Sequence, residues 1–314
     1  MWYAIGIIGA IIVLALLLSA MCFFKVFYSR KRKPLKQDKF KLPPGKIYKE
    51  FRDEMIGWMK TARKITHKEF EIKSYDGLTL RGRYYEYSNS APIELLFHGY
   101  RGNAERDMSG GIERCFAMGR SALIIDQRAC GTSDGHVITF GIKEHRDCLS
   151  WIEFVNDHFG PDTKIILTGI SMGAATVLMA AGSKDLPSNV VCVLADCGYT
   201  SAKDIIVKTL KKRLLPAPLV YPLIKLGALI YGGFRLEGNS PVKAMQSTNV
   251  PVVFIHGDKD KFVPCEMSTA LYEACSSRHK KLTVIADAGH GLAYPRDKEK
   301  YINTLNDFQK ECGF

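Results

Sequence analysis

The sequence predicts a mostly parallel, doubly wound α/β sheet that carries a helical lid and is preceded by one transmembrane helix. Three observations lead there: short, nearly continuous apolar runs recur along residues 93–285, helix-length segments alternate with them, and an uncharged apolar stretch opens the chain. Strands without polar alternation are buried on both faces, which requires a parallel sheet covered by helices. With 314 residues, 46% of them hydrophobic and 24% charged, the chain can build one large domain plus an appendage.

Trp2–Phe24 carries no charge and is rich in Leu, Ile, Val and Ala. About 20 such residues at ~1.5 Å each cover the roughly 30 Å of hydrocarbon in a bilayer. The basic residues Lys25, Arg30, Lys31, Arg32 and Lys33 follow the apolar run instead of preceding it, so residues 1–28 read as an uncleaved anchor rather than a removed signal. Positive-inside logic then places the body in the cytoplasm, at the cell membrane. The net charge of +12 is concentrated in one place: residues 25–64 hold fourteen Lys/Arg against four Asp/Glu, and the rest of the chain is close to neutral. Residues 29–66 therefore read as a basic juxtamembrane connector, broken by Pro34 and Pro43-Pro44-Gly45, with a helix near Tyr48–Ala62. Anionic lipid headgroups are its expected partner. Nucleic acid is not, because no aromatic-interleaved basic patch accompanies the charge. The nine cysteines form no C-x-x-C pair and no zinc spacing, which suits a reducing compartment and packing roles.

From residue 67 to 314 the texture is that of a folded domain. His67–Tyr75 and Leu78–Tyr87 alternate in polarity around Asp76-Gly77 and read as a hairpin. Strands follow at Ile93–Phe97, Ala122–Ile125, Lys164–Thr168, Val190–Leu194, Val252–Ile255 and Leu282–Ile285. Helices are expected near Ala104–Met118, Lys143–Phe159, Met172–Lys184, Pro264–Ser276 and Pro295–Phe308. The interval 199–248 is too long for one strand–helix–strand step. Pro216, Pro218, Pro222, Lys225 and Arg235 argue against a second membrane span there and for a helical lid.

The most informative string runs Lys164-Ile-Ile-Leu-Thr-Gly-Ile-Ser171-Met-Gly-Ala-Ala175. It is a strand, then G-x-S-x-G, then a helix opened by small residues, the order a nucleophile elbow requires. A hydroxyl needs a base. Of eight histidines, His290, in Ala288-Gly-His-Gly291 after the last strand, has the position for it; His98 and His256 read as orienting backbone. The acid should fall between Ser and His in this chain order. Asp260 is preferred, Asp258 reads as a turn residue, and Asp196 is the outside candidate. Two backbone N–H groups should form the oxyanion hole, one from Met172 and one from Tyr100 in Phe97-His-Gly-Tyr-Arg-Gly102.

These strings, with Asp126-Gln-Arg-Ala-Cys-Gly-Thr-Ser-Asp-Gly135 and His256-Gly-Asp-Lys-Asp-Lys-Phe-Val-Pro264, occur in an order that resembles the α/β-hydrolase superfamily. The likeness is strongest to its bacterial membrane-anchored branch related to serine aminopeptidases and Bem46-like hydrolases, and covers roughly residues 67–314. The resemblance implies an α/β-hydrolase fold and hydrolysis of an ester, thioester or amide with no metal or organic cofactor. It also implies that the Asp126–Gly135 run organises loops. The apolar lid and the tether lead us to expect a small-molecule or lipid acyl ester, such as a lysophospholipid, as substrate. A peptidase or acyl-thioesterase using the same triad is the alternative, and a non-enzymatic scaffold is disfavoured.

Overall fold

The computed structural model describes residues 2–30 and 39–314. The basic residues Lys31–Lys33 and the Pro34 break lie outside them. The chain opens with helix α1 (Trp2–Val26), long and apolar enough to cross a membrane. A short 3-10 turn (Lys46–Tyr48) and α2 (Arg52–Lys64) come from the expected connector, and they pack on the domain. Met59 and Ala62 are buried, and the Trp58 indole N–H donates to Glu113 at 2.7 Å.

Eight strands form one sheet: β1 (Lys68–Lys73), β2 (Thr79–Tyr85), β3 (Ile93–Phe97), β4 (Ser121–Asp126), β5 (Ile165–Ile170), β6 (Val190–Asp196), β7 (Val252–Gly257) and β8 (Lys280–Ile285). Their spatial order is β1-β2-β4-β3-β5-β6-β7-β8. The β1–β2 hairpin pairs antiparallel onto β4, and β4 through β8 are mutually parallel. Every residue of β3, β4 and β7 is buried, as the unbroken apolar runs require. The edge strand β1 alternates and leaves most of its side chains exposed.

Helices α3 (Ala104–Ala117), α4 (Glu144–Phe159), α5 (Met172–Ala181), α9 (Cys265–Ala274) and α11 (Lys298–Cys312) connect or cover the strands, on either face. The expected helix over 295–308 is divided: a four-residue turn, α10 (Ala293–Arg296), ends at Asp297, whose side chain caps α11 by accepting from the Lys300 N–H at 2.9 Å. The interval 199–248 folds as α6 (Ala202–Lys212), α7 (Ala217–Ile230) and α8 (Pro241–Met245). Pro216 and Pro218 fall at the start of α7, where missing N–H groups cost nothing; Pro222 sits on its exposed side. Tyr221, Ile224, Ala228 and Phe234 join Phe23 and Phe27 of the chain start and Met172 and Ala175 of α5 in one apolar cluster.

Candidate active site

The site gathers at the carboxyl ends of the central strands, where an open α/β sheet leaves a crevice. Ser171 lies between β5 and α5 with φ 57° and ψ −112°, a strained conformation for a residue with a side chain. Its N–H donates to the Asp196 carbonyl at 2.9 Å and its carbonyl accepts from Ala175 N–H at 3.1 Å, so both flanks of the turn are pinned. The two elbow glycines are steric requirements. A Cβ on Gly173 would stand 1.9 Å from the Phe97 carbonyl oxygen, and one on Gly169 would stand 2.1 Å from the Gly173 carbonyl group. Any larger residue would push β5 and α5 apart at the serine.

Ser171 Oγ lies 3.0 Å from His290 Nε2, and His290 Nδ1 lies 2.6 Å from Asp260 Oδ2. These three residues, taken from the ends of β5, β7 and β8, are thus brought together across 119 residues of sequence. Asp260 has no freedom to turn away. Its Oδ1 accepts from the N–H groups of Phe262 and Val263 at 2.8 and 2.9 Å. Its Oδ2 also faces His256 Nε2 at 3.3 Å. Burial alone would raise the Asp260 carboxyl, but hydrogen bonds from His256 and His290 and their charge outweigh it and hold it well below the usual carboxylate range. The His290 ring is braced from outside by Phe262, edge-on at 5.0 Å. Its backbone carbonyl accepts from Tyr48 Oη at 3.0 Å, so the segment between α1 and α2 buttresses the histidine loop.

His256 does more than orient backbone. Its Nε2 is 3.0 Å from the Val263 carbonyl, which can only accept, so Nε2 carries a proton and shares it with Asp260, while Nδ1 lies 2.6 Å from Ser268 Oγ. Nothing in its sequence spacing distinguishes this role from that of His98. His98 is buried and kept neutral by burial. Its Nε2 accepts from Gln127 N–H at 3.1 Å, its Nδ1 donates to the Gly99 carbonyl at 2.7 Å, and Gln127 donates back to the His98 carbonyl at 2.6 Å. The Asp126–Gly135 run is tied to the same loop: the Asp126 carboxylate accepts from the N–H groups of Ala104 and Thr132 at 2.8 and 2.9 Å. This network sets the Phe97–Gly102 loop beside the serine, with a Cβ added to Gly99 falling 3.7 Å from Ser171 Cβ. Tyr100 is in that loop and Met172 follows the serine directly. The Tyr100 side chain faces α1, its Oη donating to the Val26 carbonyl.

Asp196 does not reach His290. Its Oδ2 accepts from Tyr301 Oη at 3.0 Å, and complete burial raises its carboxyl. Asp258 is partly exposed beside Lys259 at 3.8 Å. Among the described residues, Cys197, Asp260 and His290 place ligand-type atoms within 4.8 Å of one another. Two of these already bond each other, and burial pushes the Cys197 thiol far up, so the group is the serine–histidine–aspartate arrangement with a neutral thiol behind it. A separate cavity of about 610 Å³ opens behind the Gly102–Arg106 turn and touches neither Ser171 nor His290. Much of its charge is paired, as in Arg63–Glu105 and Arg106–Asp107.

A parallel sheet whose central strand turns through a strained serine into a helix, with a histidine on that hydroxyl, defines a serine hydrolase of α/β-hydrolase fold. Residues 139–313 match the model of the prolyl oligopeptidase family, and the chain belongs to that family. It is 25% identical over 241 residues to the uncharacterized protein YqkD of Bacillus subtilis, covering 76% of this chain and 78% of that one. It is 27% identical over 255 residues to the protein bem46 of Schizosaccharomyces pombe, covering 79% and 78%. Among solved structures it resembles the esterase Pf2001 of Pyrococcus furiosus, with a TM-score of 0.65, 23% identity and coverage of 87% of this chain and 98% of that one.

Proposed function

We propose that the protein is a membrane-anchored hydrolase that cleaves lipophilic acyl esters through Ser171, His290 and Asp260. One observation carries the reading: the Ser171 hydroxyl is within proton-transfer distance of an imidazole whose other nitrogen is held by a fixed carboxylate. His290 Nε2 takes the Ser171 proton as the oxygen attacks the acyl carbonyl, and the Tyr100 and Met172 N–H groups receive the oxyanion. The imidazolium returns that proton to the leaving alcohol. Water enters, His290 deprotonates it, and the acyl-serine is hydrolysed. Asp260 keeps Nδ1 protonated and stabilises the imidazolium.

The tether and the apolar α6–α8 interval, acting as a lid, support a lipophilic substrate such as a lysophospholipid. Positive-inside logic supports a cytoplasmic site. The likeness to the Pyrococcus furiosus esterase supports ester over amide, while the family's name favours a peptidase as the second reading. Matched p-nitrophenyl esters of rising acyl length, an acyl thioester and aminoacyl anilides separate these. Higher kcat/KM on long-chain esters is expected. A short-chain-only profile contradicts the lipophilic substrate, and faster anilide cleavage contradicts the esterase.

A further inference from the structure

We infer that the C-terminal end of α7 enters the same bilayer leaflet as the end of α1, so that a second apolar element anchors the protein beside its site. The inference rests on the reading of α1 as the membrane anchor. It follows from where α1 meets the body of the protein. Trp2–Leu14 is exposed throughout, and at ~1.5 Å per residue it spans about 20 Å. The first charge after the apolar run is Lys25, so a hydrocarbon layer roughly 30 Å thick that ends just before it also holds the stretch from Ala15 to about Met21.

That stretch is the one docked on α7. Tyr231 Oη donates to the Leu16 carbonyl at 3.0 Å, the Phe23 and Tyr231 rings lie 5.9 Å apart, and a Cβ on Gly227 would stand 2.6 Å from the Ser19 carbonyl oxygen. Gly227 thus lies against Ser19 and Phe23, and the Tyr231 hydroxyl reaches Leu16, which is nine residues, about 13 Å, deeper than Lys25. The end of α7 and its cap beside them hold Leu229, Ile230 and Tyr231, which are 53%, 48% and 40% exposed although strongly apolar or amphipathic.

Three cations lie around this tip. Lys225 is half a turn back from Gly227 and pairs with Glu237 at 3.4 Å; Lys143 Nζ donates to the Gly232 carbonyl at 3.3 Å; Arg235 is exposed just beyond the turn. An apolar point with a basic collar and an aromatic hydroxyl at its edge matches the interior and interface of an anionic leaflet. Lys225 also explains why α7 dips in without crossing.

The test uses the full chain in vesicles of phosphatidylcholine and phosphatidylglycerol whose acyl chains are brominated or plain. Native Trp2, compared with Trp2→Phe, reports insertion of α1. Leu229→Trp and Ile230→Trp add a reporter at the α7 tip, and Leu219→Trp adds one at its opposite end. Retained fluorophosphonate labelling confirms that each variant is folded. The inference requires the added emission at 229 and 230 to be lost to brominated chains, as that of Trp2 is, with much smaller loss at 219. Quenching of Trp2 without loss at 229 or 230 overturns it and leaves the anchor standing. Unquenched Trp2 overturns the anchor reading and this inference with it.

Discussion

The carboxyl edge of the sheet and the α1–α7 face are held together by opposite means. At the sheet edge nearly every contact that matters is polar and directional: Asp260 receives two backbone N–H groups and two imidazoles, and His98 and Gln127 exchange bonds in both directions. On the α1–α7 face the contacts are mostly apolar, through Phe23, Phe27, Ile224 and Ala228, with one hydrogen bond from Tyr231 to the Leu16 carbonyl and with Leu219 and Leu229 left to the outside. The first arrangement sets donors and acceptors in fixed directions, the kind of geometry a proton transfer needs. The second is non-directional and leaves apolar surface exposed. Substitutions at the edge should therefore act on kcat, and those on the face on stability and membrane contact.

The largest effect is expected at the serine. Ser171→Ala should reduce ester turnover by roughly 10⁴–10⁶ with the melting temperature little changed, since only one oxygen is removed. Asp260→Asn should cost about 10⁴ in kcat, measured on the same ester, by favouring the wrong tautomer of His290. Its pH behaviour sharpens the test. A carboxylate depressed in the folded state contributes stability that is fully present above its unfolded value near about 4 and is lost progressively as pH falls from there through the folded value. The melting-temperature gap between native protein and Asp260→Asn should therefore be level from pH 7 to about 5 and close below about pH 4. Gly173→Ala should destabilise by about 3 kcal/mol or more, read from denaturant unfolding, because its methyl meets a backbone carbonyl. His256→Ala should lower kcat by about 10-fold with KM unchanged, by freeing one side of Asp260. The smallest change in turnover belongs to the other region: Gly227→Ile should separate α7 from α1 and cost about 1–3 kcal/mol in thermal stability, while short-ester kcat stays within a few-fold.

What could be read in the sequence divides along the same line. Ser171 was legible because an elbow is local: strand, two glycines and small residues lie within a dozen positions. Asp260 and His290 were legible from chain order and strand ends. The hairpin, the parallel strands and the helical nature of 199–248 followed from patterning and prolines. Residues joined only by tertiary packing were not legible. Tyr48 reaches the His290 carbonyl across 242 residues, and no periodicity marks it. His256 and His98 both precede glycine at a strand end, yet one braces Asp260 and the other the Phe97–Gly102 loop. The fate of Asp196 was decided by Tyr301, a residue on the last helix. The docking of α1 on α7 depended on Gly227, one glycine in an apolar run.

The role of Ser171 is decided by mapping the site of a fluorophosphonate adduct. A single modified peptide is expected, carrying the probe on Ser171, absent from Ser171→Ala and formed far more slowly in His290→Ala. An adduct on another residue, or labelling at Ser171 that proceeds at full rate without His290, would contradict it.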